Sequence, residues 1–231
     1  MLRDLDALQQ RMKGVEEIVI DCVGTAVPES VYVDIGKHAL RRYNSKISLL
    51  KKLPTIINTG RHRKKKDFKS TATDMLKLGR GLDASFLDYF GAMLAEKMDI
   101  YTTGFLQMYR HLDINMVTRD VQYVQRIIGA LRDLGINIRK YISNEVLVEN
   151  GKLTDKVRPY AVGVKWDGGP IMTAQDKLDA FLAIARRPIS KVAYLCDNDP
   201  VENMVKDYVK KSGGLVLTAY ELRSFIAPTL V

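Results

Sequence analysis

Val15, Ile18, Val19 and Ile20 form an apolar run, interrupted by Glu16 and Glu17, that ends on Asp21. Gly24 and Thr25 then turn the chain, so the run reads as a short buried strand. Before it, Leu2, Leu5, Leu8 and Met12 recur at helical spacing within residues 1–14, the mark of an amphipathic helix. After Thr25 the pattern becomes helical through Leu53, and Thr55 to Asn58 is a short apolar run that suits a strand. Residues 71–98 return to helical spacing, with Phe86, Phe90, Met93 and Leu94 on one stripe that reads as core. A short helical segment follows from Gly104 to Leu112. Ile114 to Val117 then gives a second strand, which ends on Thr118.

The second half of the chain is more regular. Val121, Val124, Ile127, Ile128, Leu131 and Leu134 recur at three and four residues, and Gly135 stops that helix. Residues 138–164 alternate in short runs, and Asn150-Gly151 is a hairpin turn signal. Thr173 is the expected N-cap of a helix carrying Lys177, Phe181 and Ile184. Lys191 to Cys196 predicts a strand ending on Asp197, followed by a turn at Asn198-Asp199-Pro200 and a helix from Val201 to Lys211. Gly213-Gly214 breaks it, LVLTA is the last strand, and Tyr220 to Ile226 a terminal helix. Strands alternating with helices predict an α/β fold with a parallel sheet covered on both faces.

Composition narrows the class. The chain of 231 residues is long enough for one large domain, or a domain with a smaller one inserted. No apolar run approaches the roughly 20 residues of a membrane span. The charged N-terminus lacks an apolar signal core, and two cysteines make no disulfide framework, so the expected compartment is cytoplasmic. Cys22 and Cys196 read as buried free thiols. The net charge of +9 is concentrated: from Ala26 to Arg80, 14 Lys and Arg stand against 4 Asp and Glu. A basic surface of this kind serves as a solvated face or attracts phosphate-bearing ligands. The Arg61 to Lys66 cluster lacks interleaved aromatics, so nucleic acid is not the expected partner. His38, His62 and His111 show no zinc-site spacing.

Three predicted strand ends carry Asp21, Thr118 and Asp197, and a helix between the last two carries Lys177. In a parallel sheet all carboxyl ends share one edge, where open α/β folds place their chemistry. One carboxylate there can attack phosphorus and a second can help to hold a divalent cation. A hydroxyl and an ammonium can take the remaining phosphate oxygens.

This order, D-x-x-G-T, strand-Thr, Lys, strand-Asp, resembles the haloacid dehalogenase superfamily from about Val15 to Ile226. The segments VTRDVQYVQRIIGALRDLGI and SNEVLVENGKLTDKV are similar to its phosphoserine-phosphatase-like branch. The resemblance implies a Rossmann-like core (residues 1–25 and 113–231) with an inserted, mostly helical cap at 26–112. It implies Asp21 as a nucleophile that forms an aspartyl-phosphate and Thr118 and Lys177 as phosphate-binding groups. Magnesium would be held by Asp21, the Val23 backbone carbonyl, Asp197 and Glu202. A second register uses Thr59, in Thr59-Gly60-Arg61, in place of Thr118, and puts the cap at about 93–170; the hairpin match favours Thr118.

Two positions depart from the family pattern. Family phosphatases carry a second Asp two residues after the nucleophile, as general acid and base, and here that place is Val23. Such help is typically worth about 10²–10⁴-fold in rate. The later acid, expected four or five residues after Asp197, falls on Val201 or Glu202, with Asp199 a weaker candidate. The expectation is a magnesium-dependent phosphohydrolase or phosphotransferase acting on a small phosphorylated or otherwise anionic substrate. The alternatives are a non-catalytic ligand- or partner-binding member, and a phosphonatase- or dehalogenase-like hydrolase.

Overall fold

The computed structural model describes residues 2–27 and 68–226. Thr59, the Arg61 to Lys66 cluster, His38, His62 and the elements expected between Val31 and Asn58 lie outside the described residues.

The strand that ends at Asp21 is β1 (Glu17–Ile20), and all four of its residues are buried. The others are β2 (Asp113–Val117), β3 (Ile138–Glu149), β4 (Lys152–Val162), β5 (Val192–Cys196) and β6 (Leu215–Thr218). They form one sheet in the order β4-β3-β2-β1-β5-β6. Every neighbouring pair is parallel except the β3–β4 hairpin. Asn150 and Gly151 both take positive φ at its turn, as a two-residue hairpin connection requires.

The helices are α1 (Leu2–Arg11), α2 (Phe68–Gly79), α3 (Ser85–Ala95), α4 (Ile100–Met108), α5 (Val124–Asp133), α6 (Ala174–Ile184), α7 (Asn203–Lys211) and α8 (Ala219–Ile226). The helical stretch expected over 71–98 is two helices, because the chain breaks at Gly79-Arg80-Gly81, with Gly81 at positive φ.

Strand alternation sorts the core into two layers. Ile18, Ile20, Met116 and Leu195 pack on one face with Leu8, Phe90, Leu94, Phe105, Ile127 and Leu222. Val19, Val117, Tyr194 and Cys196 pack on the other with Phe181, Ile184, Val205 and Val209. A sheet buried on both faces explains why β1 and β5 are apolar throughout rather than alternating. The stripe of Phe90 and Leu94 is core, as expected. It lies in the same cluster as Ile18 and Met116, so the packing is continuous across residue 112. Cys22 and Cys196 are buried free thiols.

Register fixes the carboxyl edge. Ile20 pairs with Met116 on one side and Leu195 on the other. The Asp21 amide donates to the Leu195 carbonyl at 2.9 Å. Asp21 is therefore level with Val117 and Cys196, and Thr118 and Asp197 follow one residue later on the two adjacent strands.

Candidate active site

Lys177 reaches this edge from α6. The helix starts where the sequence predicts: Thr173 accepts from the Asp176 amide at 3.1 Å, and Asp176 accepts from the Thr173 amide at 2.8 Å. This capping box fixes the first turn and sets Lys177 on the face against the sheet, 1% exposed. Its Nζ donates to Asp21 Oδ1 at 2.6 Å and to Glu202 Oε1. The other Glu202 oxygen accepts from the Tyr194 hydroxyl. Lys177 is thus held between two buried carboxylates, and Glu202 is locked from its far side.

Asp197 completes the cluster. One carboxylate oxygen from each of Asp21, Asp197 and Glu202 lies within 4.8 Å of the other two. Asp197 Oδ1 accepts from the Asp199 amide at 2.9 Å. Gly24 makes room for its other oxygen: φ is +89°, and a methyl group added there would stand 2.0 Å from Asp197 Oδ2. The glycine of D-x-x-G-T is needed both for the left-handed turn and for the approach of Asp197.

Three carboxylates around one ammonium leave the cluster with surplus negative charge. Burial, then the nearby Glu202, Asp197 and Asp120, hold the Asp21 carboxyl well above the ordinary range, against the pull of Lys177. Burial and Glu202 push Asp197 up to about 7. Burial alone would lower Lys177, but Asp21 and Glu202 more than offset it, so the ammonium stays protonated. Hard oxygen ligands with excess negative charge suit a magnesium ion. Asp21 Oδ2 and Asp197 Oδ2 accept no hydrogen bond among the described residues, whereas both Glu202 oxygens are engaged.

Thr118 ends β2 and is fully buried. Its hydroxyl donates to Asp120 Oδ2 at 2.5 Å, and Asp120 Oδ1 accepts from the Tyr123 hydroxyl. Asn144 ties this loop down by donating to the Arg119 carbonyl at 2.8 Å and the Ile171 carbonyl at 3.0 Å. Asp199 serves the turn: Oδ1 accepts from the Val201 amide at 3.0 Å and Oδ2 pairs with Arg119 at 3.1 Å. Val23 is buried in the apolar core beside Val27, so no side chain there reaches the cluster with a proton. His111, the one histidine among the described residues, is exposed.

Sequence reasoning missed Tyr194, Asp120, Tyr123 and Asn144. Tyr194 carried a signal: a hydroxyl in the apolar strand VAYLC needs a buried partner. Asn144 carried none, since its partners lie 25 and 27 residues away.

The fold class these elements define, a mostly parallel Rossmann-like sheet between helical layers, recurs in known structures. A substrate-bound phosphoserine phosphatase is similar with a TM-score of 0.59 at 13% identity, over 88% of this chain and 92% of that one. A phosphoserine phosphatase in apo form gives 0.57 at 15% identity, over 88% and 86%. A phospho-aspartyl intermediate analogue of phosphoserine phosphatase gives 0.54 at 13%, over 88% and 93%. The chain has the fold of these proteins. No family model and no curated protein matches it.

Proposed function

We propose that the protein is a magnesium-dependent phosphohydrolase or phosphotransferase that works through an aspartyl-phosphate on Asp21. The observation that carries this is the Lys177 ammonium, held 2.6 Å from Asp21 Oδ1 with Asp197 and Glu202 beside it at the sheet edge. Asp21 Oδ2, which Lys177 does not occupy, attacks the phosphorus atom as the bond from phosphorus to the leaving oxygen breaks, and water or a second acceptor then takes the phosphoryl group from Asp21. Lys177 orients the nucleophile and neutralises a phosphoryl oxygen. Asp21, Asp197 and the Val23 carbonyl would hold the magnesium ion, with Glu202 adding charge and keeping Lys177 in place. The bound ion would offset the phosphate's charge during transfer. Thr118 would turn its hydroxyl from Asp120 to a phosphoryl oxygen. The basic stretch from Ala26 to Arg80 would select the substrate.

Because Val23 supplies no acid, the expected substrates have leaving groups that need no proton, such as aryl or acyl phosphates and anhydrides. The test is magnesium-dependent release of phosphate from an aryl phosphate by the full chain, lost in Asp21→Asn. No turnover across a panel of phosphoesters and anhydrides defeats the proposal.

The burial of Val23 also favours a second reading, a binding protein with the same site and no turnover. It predicts thermal stabilisation by a phosphorylated ligand without phosphate release. Any activity that Asp21→Asn abolishes rules it out.

A further inference from the structure

The opposite edge of the same sheet carries a second cavity that the proposed reaction does not use. It encloses about 360 Å³ and is lined by Asp113, Asn115, Arg139, Lys140, Arg186 and Arg187. That volume is within the range of small-ligand pockets. Glu17 begins β1 at this edge and Asp21 follows its other end. Four residues of strand put about 13 Å between the two sites.

Four cations meet here, and carboxylates answer only some of them. Arg139 pairs with Asp113 at 2.5 Å, and Arg187 lies 3.4 Å from Glu16 and 3.6 Å from Asp113. Lys140 and Arg186 form no ion pair among the described residues. Burial, then Arg186 and Arg139, hold the Lys140 ammonium below the ordinary lysine range, and Glu17 and Asp113 offset only part of that push. With no direct ion pair of their own among the described residues, Lys140 and Arg186 fit an anion carrying two negative charges.

The cavity is also built rather than incidental. Glu17, 1% exposed, accepts from the backbone amides of Arg186 and Arg187 at 3.0 Å each, which fixes the backbone of both arginines. Glu17 takes the Asn115 amide as well, at 2.6 Å. That bond orients Asn115 and leaves its Oδ1 buried and without a hydrogen-bond partner among the described residues. A buried acceptor with nothing to accept from is uncommon in a native fold, and this one belongs to a residue lining a cation-rich cavity.

We propose that this cleft binds a small hydroxylated phosphomonoester. Lys140 and Arg186 take the phosphate dianion, and Asn115 Oδ1 accepts the ligand's hydroxyl. The ligand's charge satisfies the unpaired cations, and its O–H supplies the donor that Asn115 lacks.

The test is calorimetric titration of the full chain, stripped of divalent ions, with glycerol 3-phosphate and with methyl phosphate. Binding of glycerol 3-phosphate is expected, with methyl phosphate several-fold weaker because it brings no hydroxyl. Asp21→Asn is expected to leave the affinity unchanged. Lys140→Ser/Arg186→Ser is expected to weaken it by about tenfold or more, since charge-assisted bonds are lost. Arg186→Ser alone, at an exposed position, gives a smaller loss and serves if the double variant does not fold. No heat at millimolar ligand overturns the site, as does unchanged affinity in these variants. Affinity lost in Asp21→Asn but kept in the double variant moves the ligand to the other edge and overturns it too. Equal affinity for the two phosphates overturns the hydroxyl contact.

Discussion

Glu17 and Asp21 are two buried carboxylates on one strand, four residues apart, and they are treated in opposite ways. Among the described residues Glu17 accepts hydrogen bonds from three N–H donors, one from Asn115 and two from the backbone of Arg186 and Arg187. These fixed dipoles, with the Lys140 ammonium nearby, answer its negative charge, so it ties β1 to β2 and to the segment after α6. Asp21 is met by a single ammonium and faces two further carboxylates within 4.8 Å. Its charge is under-compensated, and one of its oxygens is left for other partners. A buried carboxylate saturated by amides holds a structure together. One crowded by its own kind has charge to spare for a cation, which is the arrangement that the proposed reaction uses.

The largest effect that tests this contrast is Asp21→Asn. On the proposed reaction, in which Asp21 is the nucleophile, the substitution is expected to cost about 10⁴–10⁶-fold in turnover, measured as phosphate release from an aryl phosphate. Stability is expected to hold or rise, because a neutral amide relieves the crowding that raises the Asp21 carboxyl. A marked loss of stability in chemical denaturation would put Asp21 in the same class as Glu17. Lys177→Met acts the other way. It removes the ammonium that, among the described residues, pairs with Asp21 and Glu202, and is expected to cost about 3–5 kcal/mol of unfolding free energy. Adding Glu202→Gln should recover part of that loss, because the pair shares the Lys177 ammonium.

How much of this contrast was legible in the sequence depended on distance along the chain. The carboxyl edge was readable because strand ends in a parallel sheet must coincide, so Asp21, Thr118 and Asp197 could be placed together before any coordinates. Local signals held too: Asn150-Gly151 turns the hairpin, and Thr173 caps the helix that brings Lys177 inward. The hold on Thr118 was not readable. Nothing in VTRDVQY shows that its hydroxyl faces Asp120, because that depends on how Asn144 pins the loop. The amino edge was invisible. Arg139 and Lys140 begin β3, whereas Arg186 and Arg187 follow a helix more than forty residues later, and only the β2–β3 register and the return of α6 bring them together. Glu17 read as an interruption in an apolar run, and its three partners come from segments 98 to 170 residues away.

Gly24→Ala tests how tightly the acidic edge is built. The residue sits at positive φ, and the added methyl group would stand 2.0 Å from Asp197 Oδ2. Backbone strain and the clash together are expected to cost about 2–4 kcal/mol. Displacing Asp197 should also weaken magnesium binding, read by titration calorimetry. Unchanged metal affinity would remove Asp197 from the ligand set.

The pH dependence of the metal-free chain follows from the same crowding. The Asp197 carboxyl is pushed up to about 7 in the folded state, from an unfolded value of about 4. Between those values the folded state binds the extra proton, so stability falls as pH rises from about 4 and levels off above about 7. A divalent cation bound at the proposed site would displace that proton, so magnesium should stabilise the fold more above about pH 7 than near pH 5. At a concentration about a hundred times its dissociation constant the gain is about 2–3 kcal/mol. Thermal melts with and without magnesium at the two pH values measure it. Equal stabilisation at both would detach the ion from this cluster.

Glu17→Gln is the smallest effect and the sharpest comparison. The substitution keeps size and shape but turns one acceptor into a donor facing N–H groups already aimed at it. One or more of the Asn115, Arg186 and Arg187 donors then loses its partner, at about 1–2 kcal/mol. Turnover of the folded protein should stay within about twofold, since the change lies about 13 Å from Asp21. A drop in turnover with stability intact would mean that the two edges communicate through β1. The saturated carboxylate would then be part of the reaction's control rather than a fixed tie.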